Sequence, residues 1–401
     1  MKAATFRSVL CAVAALAGPV PGAAQAPVDV PLPTVLEPVY TVGAVDGADW
    51  EVLGGVAAVA FDPAGRLAIL DSGNDRVVLV GRDGRHVRTI GRSGRGPGEL
   101  SRPMGLAATG TGELVVFDAG SGALVVYDTA GTFLRQFRPP FGRGYPGARL
   151  RAMPGGGVVS ASGDGVALID PRDGESPFHT LNRYDLVDSG EPVALAEAWR
   201  ALAGAASGGQ EVAGRQVGFT ALPAFAPGLH FDVLPDGRLA FADSTDYRIE
   251  IVAGTGAGGG VAVVGRPLRP RPTTDRDRDR ERERRRQRAA GVAPGGRTLP
   301  VAGRGSLERQ LALLEFWPEI PVIRGLRADP AGRLWVARAP NADGATPIDL
   351  LTGDGTYLGT LRVPELAVPD ALGPGGLVAF VEEGELGEPR VRVAVLTRGG
   401  G

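Results

Sequence analysis

The chain has 401 residues, a formal net charge of −2 and an apolar fraction of 43%. That near-balance of charge gives no global attraction to nucleic acid or to an anionic surface. One cysteine and three histidines exclude a disulfide framework and leave little for a transition-metal centre.

In chain order, the first expected element is a targeting segment over residues 1–26. Lys2 and Arg7 supply a positive start, Val9–Ala17 a short apolar stretch, and Ala24-Gln25-Ala26 a small-x-small cleavage site. Cys11 lies inside this segment, with Leu10 where a lipoprotein would carry a small residue, so lipidation is not expected. No other apolar run reaches the roughly 18 residues of a spanning helix. The expectation is an exported, cysteine-free, monomeric protein, periplasmic or extracellular.

The 62 glycines and 33 prolines could suit a disordered chain. Here, however, the apolar residues arrive in short strand-like runs and the glycines fall at regular turns. A glycine precedes an apolar strand start at Gly65, Gly112, Gly156, Gly237, Gly332 and Gly375. Asp62-Pro63-Ala64, Leu234-Pro235-Asp236 and Asp329-Pro330-Ala331 lead into three of them as turn residues. Each strand is followed by a third and a fourth, as in Arg76–Val80 and the strand after Arg82-Asp83-Gly84. Four-stranded units repeating at about 45 residues predict a β-propeller. The fold class is therefore all-β: one six-bladed propeller over residues 27–401. Blades are expected at 56–91, 103–137, 148–198, 229–265 and 322–361. The sixth is assembled from 368–396 and the N-terminal strand Val39–Gly43, which closes the ring against Arg390–Leu396.

The first two blades carry a more specific likeness. Asp71-Ser72-Gly73-Asn74-Asp75-Arg76-Val77, followed by Gly91-Arg92-Ser93-Gly94-Arg95-Gly96-Pro97-Gly98-Glu99-Leu100, resembles the NHL repeat and exported bacterial six-bladed propellers. Tyr247–Glu250 and Gly332–Val336 resemble it less closely. The resemblance implies a propeller and no single activity, since similar folds bind proteins or RNA and a few are lyases or hydrolases.

Insertions are expected at 163–177, 199–228 and 266–320, with a shorter one at Ala339–Ala345. Strand alternation puts all four on one face, while the other face keeps tight turns. Such a layout suits a binding scaffold. In Thr273–Arg288, Thr274 and Asp277 suggest a capping box. Acid and base meet at i,i+3 (Asp275 with Arg278, Asp277 with Arg280), but like charges meet at i,i+4. The segment through Arg304 is expected to be helical or disordered outside the ring. Arg284–Arg286 and Arg288 leave it net basic, so it could dock an anionic partner. A second helix is expected over Ser306–Glu315, packing Leu307, Leu311 and Leu314 on the propeller.

Chemistry-bearing residues are few. Asp71, Asp118 and Asp243 at strand ends suit backbone bonding, with calcium as the alternative; no other cofactor or metal is expected. The glycine-rich Gly254–Gly260 joins two strands and so lacks the helix of a phosphate cradle. Gly91–Glu99 belongs to the repeat and reads as an inter-blade link. Aligning first strands five residues before each repeat glycine gives Ala60, Ala107, Arg151, Asp232, Arg327 and Asp370. Two residues earlier stand Ala58, Gly105, Arg149, His230, Gly325 and Val368. The charged positions, with Arg149, are expected to ring the central channel as ion pairs or as a polar-ligand site. His230 is the candidate acid/base, its ordinary pKa being nearest neutrality. Two functions follow: a scaffold binding a protein or small polar ligand through its elaborated face, or a lyase or hydrolase at the channel mouth, with or without a divalent metal.

Overall fold

The computed structural model describes residues 28–140, 145–162, 178–187, 192–200, 208–212, 215–219, 223–256, 260–290, 304–341, 344–361 and 368–398. The proposed targeting segment and the insertion 163–177 lie outside the described residues.

The first strand, β1 (Thr34–Val42), has no partner near it in sequence. Blade one follows as β2 (Val56–Phe61), β3 (Leu67–Asp71), β4 (Arg76–Val80) and β5 (His86–Ile90). Blade two is β6 (Pro103–Ala108), β7 (Leu114–Asp118), β8 (Ala123–Tyr127) and β9 (Phe133–Phe137). Blade three is β10 (Arg151–Ala152), β11 (Val158–Ala161), β12 (Phe178–Tyr184) and β13 (Val193–Trp199), and a hairpin of β14 (Gly208–Val212) and β15 (Arg215–Phe219) follows it. Blade four is β16 (His230–Val233), β17 (Leu239–Ala242), β18 (Arg248–Val252) and β19 (Ala262–Gly265). An insertion then holds β20 (Arg271–Pro272), α1 (Asp275–Ala290), α2 (Arg304–Ala312) and β21 (Glu319–Ile320). Blade five is β22 (Ile323–Ala328), β23 (Arg333–Arg338), β24 (Ile348–Thr352) and β25 (Tyr357–Leu361). The chain ends with β26 (Ala371–Leu372), β27 (Leu377–Glu383) and β28 (Pro389–Arg398).

Each blade pairs its strands antiparallel in sequence order, except the last, where the order is β1-β28-β27-β26. Tyr40 pairs with Val393, Thr41 with Arg392 and Val42 with Val391, so β1 supplies the outer strand of blade six. The closing strand is longer than the expected Val39–Gly43, beginning at Thr34.

Closure also shows in the cores. Six apolar clusters occupy the interfaces between successive blades. One joins Val59, Leu67 and Val78 of blade one to Leu377, Ala379 and Val391 of blade six. Another joins Trp335 and Leu350 of blade five to Val378 and Phe380 of blade six. Middle strands are therefore covered on both faces. Every residue of β3, β7 and β8 is buried, and each fully buried Val or Leu contributes roughly 1.5–3 kcal/mol of transfer free energy. The outer β5 is exposed except at Ile90.

The tight turns sit where the glycine spacing placed them. Gly65, Gly112, Gly237 and Gly332 hold φ between +78° and +86°, a left-handed conformation that a Cβ resists. Their amides donate to Asp62, Thr109, Leu234 and Asp329 carbonyls at 2.8–2.9 Å. The strand-end carboxylates fix the chain entering each blade. Asp71 Oδ1 accepts from the Gly54 and Gly55 amides at 2.9 and 3.1 Å, and its Oδ2 from Arg76 Nε at 2.9 Å. Asp118 Oδ1 accepts from Ser101 and Arg102 at 3.0 and 2.7 Å. Asp243 accepts from the Trp199 amide at 2.6 Å. The Gly91–Glu99 link folds on itself, Glu99 accepting from Arg92 Nε at 2.9 Å and the Gly96 amide at 2.8 Å.

Deleting residues 30–43 of the mature chain is expected to leave β28 as an open edge and to uncover Val391 and Val393. At roughly 1–2 °C per kcal/mol for a chain of this length, the loss of several kcal/mol should lower the melting temperature by about 5 °C. Equal melting of truncated and full mature chains in a thermal scan would contradict that role of β1.

Candidate functional site

Several of the expected insertions meet around a cleft of about 1110 Å³. Its wall residues come from three of the long segments: Phe225 before blade four, Leu268 through Arg284 before blade five, and the blade-five loop around Ala339 and Thr346.

The arginine-rich segment forms a wall rather than a free arm. Thr274 caps α1: its Oγ1 donates to Asp277 Oδ2 at 2.6 Å and accepts from the Asp277 amide at 3.3 Å. Arg271 grips both Asp277 oxygens at 2.7 and 2.8 Å, holding that carboxyl well below the usual range. The expected Asp277–Arg280 pair is absent among the described residues because Arg271, from outside the helix, takes the carboxylate; Asp275–Arg278 does form, at 2.7 Å. Arg284 and Arg285 close on buried Glu281, and Arg286 crosses to Glu308 of α2 at 2.9 Å. Acids lead and arginines trail along α1, which also suits the helix dipole. α2 is shorter than expected. It stops at Ala312, burying Leu311 while Leu313 is exposed, because the chain next extends to bridge Phe316 to Ala224. Phe225 stands in a left-handed conformation, φ 66°, with its ring 5.8 Å from that of Phe316.

The charge of the cleft is one-sided. Its two acids among the described residues, Asp277 and Glu281, are spent on the pairs above. Arg338 is likewise occupied, with Asp29 at 2.6 Å and Asp349 at 3.3 Å. Four lining arginines, Arg269, Arg276, Arg280 and Arg324, have no ion pair or hydrogen bond among the described residues, and all four are exposed. Arg276 and Arg280 are one turn apart on α1, where like charges cost roughly 0.2–0.5 kcal/mol. Sequence reasoning noted that i,i+4 likeness without reading it as a basic row, and it missed Arg269 and Arg324 altogether.

By Arg324 of the cleft wall, the inner strands of blades three, four and five bring their aligned charges together in a mouth, where His230 begins β16. Burial together with Arg149, Arg324 and Arg327 pushes its pKa down to about 3. Arg149 donates to the Leu229 carbonyl at 2.8 Å and sits 5.6 Å over the Phe231 ring. One step along β16, Asp232 takes Arg151 Nε at 3.3 Å, the Val233 amide at 2.8 Å and the Ala328 amide of blade five at 3.1 Å. Burial, helped by neighbouring Arg327, lowers the Arg151 pKa to about 9, and burial also lowers that of Arg327. Asp370 accepts from the Val381 amide at 2.7 Å. Its side chain is exposed, yet the protein around it desolvates the carboxylate enough to raise its pKa against the pull of the Val381 amide, Arg327 and Arg151.

The structure thus brings Arg149, Arg151, His230, Asp232, Arg327 and Asp370 into one neighbourhood, with Arg151–Asp232 the only direct ion pair among these six. The aligned small residues behave differently. Ala60 packs in the core shared with blade two, and Ala107 in that shared with blade three, so this register faces the next blade. Gly105 and Gly325 are sites of close approach, where a Cβ would lie 2.4 Å from the Ala148 carbonyl oxygen or 2.8 Å from Val368 Cγ2.

No family model matches the chain, and no curated protein matches it. Among solved structures, a candidate exported protein of Bacteroides fragilis is 11% identical, over 92% of this chain and 96% of that one, with a TM-score of 0.48. A DUF4221 family member of Bacteroides vulgatus is 9% identical over 92% and 99%, at 0.47. A streptogramin B lyase is 13% identical over 90% and 98%, at 0.41. The assignment to six-bladed propellers rests on the strand pairing and the six inter-blade cores. No helix among the described residues is long and apolar enough to cross a membrane, and no group of three or more His, Cys, Asp or Glu there is placed to hold a metal ion.

Two predictions follow from the mouth. Asp232→Ala strands Arg151 and Arg327 without their nearest carboxylate, and breaking such a partly buried pair should cost about 3 kcal/mol in chemical denaturation. His230 binds its proton less readily folded than unfolded. Its contribution to stability is therefore full above about pH 6.5 and is lost as the pH falls toward 3. His230→Gln removes that loss, so relative to the wild type it should gain about 2 kcal/mol between pH 7 and pH 5. Parallel stability profiles for the two proteins would show that His230 is not held neutral.

Proposed function

We propose that this protein is an exported binding scaffold that holds an anionic ligand in the cleft between α1 and blade five. One observation carries the reading: among the described residues, four arginines with no ion pair line a large cleft whose two acids are already neutralised by other arginines. A volume of this size suits a ligand of several functional groups, and unpaired cations that repel one another are relieved by an anion. Export is supported by the composition of residues 1–26, and the NHL resemblance of the first two blades supports the fold alone.

The alternative, a lyase or hydrolase at the channel mouth, draws on the place of His230. A proton-transfer role is best served by a pKa near the working pH, and burial, reinforced by the surrounding arginines, pushes that of this imidazole down to about 3. That favours binding over acid/base chemistry. The calcium expectation has no part in this reading.

Calorimetric titration with citrate, pyrophosphate and oligogalacturonate at low salt tests the proposal. At least one should bind, more weakly at high salt. Arg276→Glu with Arg280→Glu should lower that affinity by about tenfold or more, each lost charge-assisted bond counting roughly 1.5–3 kcal/mol. Binding unchanged in the double variant, or no binding of any of the three, would overturn it.

A further inference from the structure

The cleft and the channel mouth share one residue. Arg324 lines the cleft, where Arg284 and Glu281 of α1 act on its charge, and it also faces His230. We propose that the mouth is a second, head-group subsite, in which Arg149, Arg324 and Arg327 hold an oxyanion, a carboxylate or a phosphate, beside the His230 N–H. The remainder of the same ligand lies in the cleft under α1, so this inference rests on the cleft reading.

Three observations carry it. First, the cations come from separate elements: Arg149 precedes β10 of blade three, while Arg324 and Arg327 belong to β22 of blade five. His230 of blade four lies between them, so the cluster belongs to the ring and not to one local sequence. Second, the acids do not balance it. Four arginines, counting Arg151, face two carboxylates. Asp232 is bound by Arg151 and two amides, and Asp370 by the Val381 amide. Third, Nε of Arg327 is buried with no hydrogen-bond acceptor, while that of Arg151 has only the Asp232 carboxylate at 3.3 Å. A buried charged donor left unmatched is costly, and an oxyanion with several acceptor sites answers it in a way a neutral ligand does not.

The same geometry makes His230 a reporter. Burial lowers its affinity for a proton most, and the three arginines add to that. An anion seated among them cancels part of their field, so the imidazole should protonate at higher pH when the subsite is filled. Asp232, Asp370 and Arg151, together with Arg284 and Glu281 behind Arg324, act in the same direction in both states and so do not mimic the change.

The test is a pH titration of the histidine ring resonances of the mature chain by NMR, with His230→Gln identifying the signal among His86, His179 and His230. Sodium benzoate and inorganic phosphate are the probes, each compared with sodium chloride at equal ionic strength. Either probe should raise the midpoint of His230 by at least about one pH unit, and the Arg324→Ala variant, altered only at the exposed rim, should show about a fivefold weaker response. A response to benzoate alone assigns a carboxylate, and one to phosphate alone a phosphate. Equal midpoints in both probes and in chloride, or an undiminished response in Arg324→Ala, would overturn the subsite. Arg276→Ala with Arg280→Ala separates the two readings. If this variant keeps the His230 response but loses affinity for oligogalacturonate, subsite and cleft both stand. If it keeps both, the cleft reading falls and the mouth remains an anion site on its own. Should the wild-type His230 fail to respond while the variant loses oligogalacturonate, the subsite alone falls.

Discussion

The ring depends on one pairing, that of β1 with β28. Each blade buries its middle strands against two neighbours, so no blade is complete alone and six interfaces must all form. Without β1, blade six would have three strands and an open edge over the interface with blade one, the kind of edge that pairs with other chains. The strand is also tied down from outside. Just before it, Leu32 and Val30 bond the Thr360 backbone of blade five at 2.9 and 2.8 Å. Asp29 bridges Arg266 at 3.0 Å and Arg338 at 2.6 Å, and both arginines also reach buried Asp349. The N-terminal segment thus fastens blade five as well as closing blade six. Arg338 occupies in blade five the strand-end position that Asp71 holds in blade one, and its reversed charge makes the bridge to Asp29 possible.

Closure leaves two faces with different freedom. Turns between first and second strands are short because the glycine at left-handed φ reverses the chain at once. Segments that enter a blade are constrained only where Asp71, Asp118 or Asp243 catches their amides, so extra chain is tolerated between those points. The longest insertion uses that freedom without becoming loose. Its acids are consumed holding it in place, Asp277 by Arg271 and Glu281 by Arg284 and Arg285, which leaves cations in excess. Five acids and eight arginines stand in Asp275–Ala290. The surplus on Arg276 and Arg280 faces the cleft because their helix neighbours are engaged elsewhere.

The repeat was legible because glycine turns and continuous apolar strands are local signals set by steric and burial demands. Blades three and six were harder to read. Their inner strands β10 and β26 have two residues each, too few to show alternation. The glycine register brought Arg151 to Asp232, since spacing along an inner strand fixes which blade a side chain faces. It could not show that Ala60 and Ala107 turn into inter-blade cores, or that Arg324, one residue from an aligned position, reaches the mouth. The Asp277–Arg280 expectation failed because helix periodicity ranks only partners within the helix, and Arg271 approaches from the strand before it. A row of like charges at i,i+4, set down as merely unfavourable, was the one local sign of the basic cleft.

What distinguishes the mouth from an ordinary ion-pair network is the sign of its imbalance. A structural network of partly buried charges settles near neutrality, because the desolvation of each ion must be offset by a partner. Here the arginines outnumber the carboxylates, the Nε of Arg327 is buried with no acceptor, and burial, reinforced by the arginines, holds the nearest titratable ring neutral. Rigidity makes the imbalance persist. Arg149 is pinned to the Leu229 carbonyl, Arg151 to Asp232, and β22 lies fixed against β16 through Asp232 and the Ala328 amide. The guanidinium groups cannot separate far enough to relax their repulsion, so a site already arranged for an anion loses little further order on taking one.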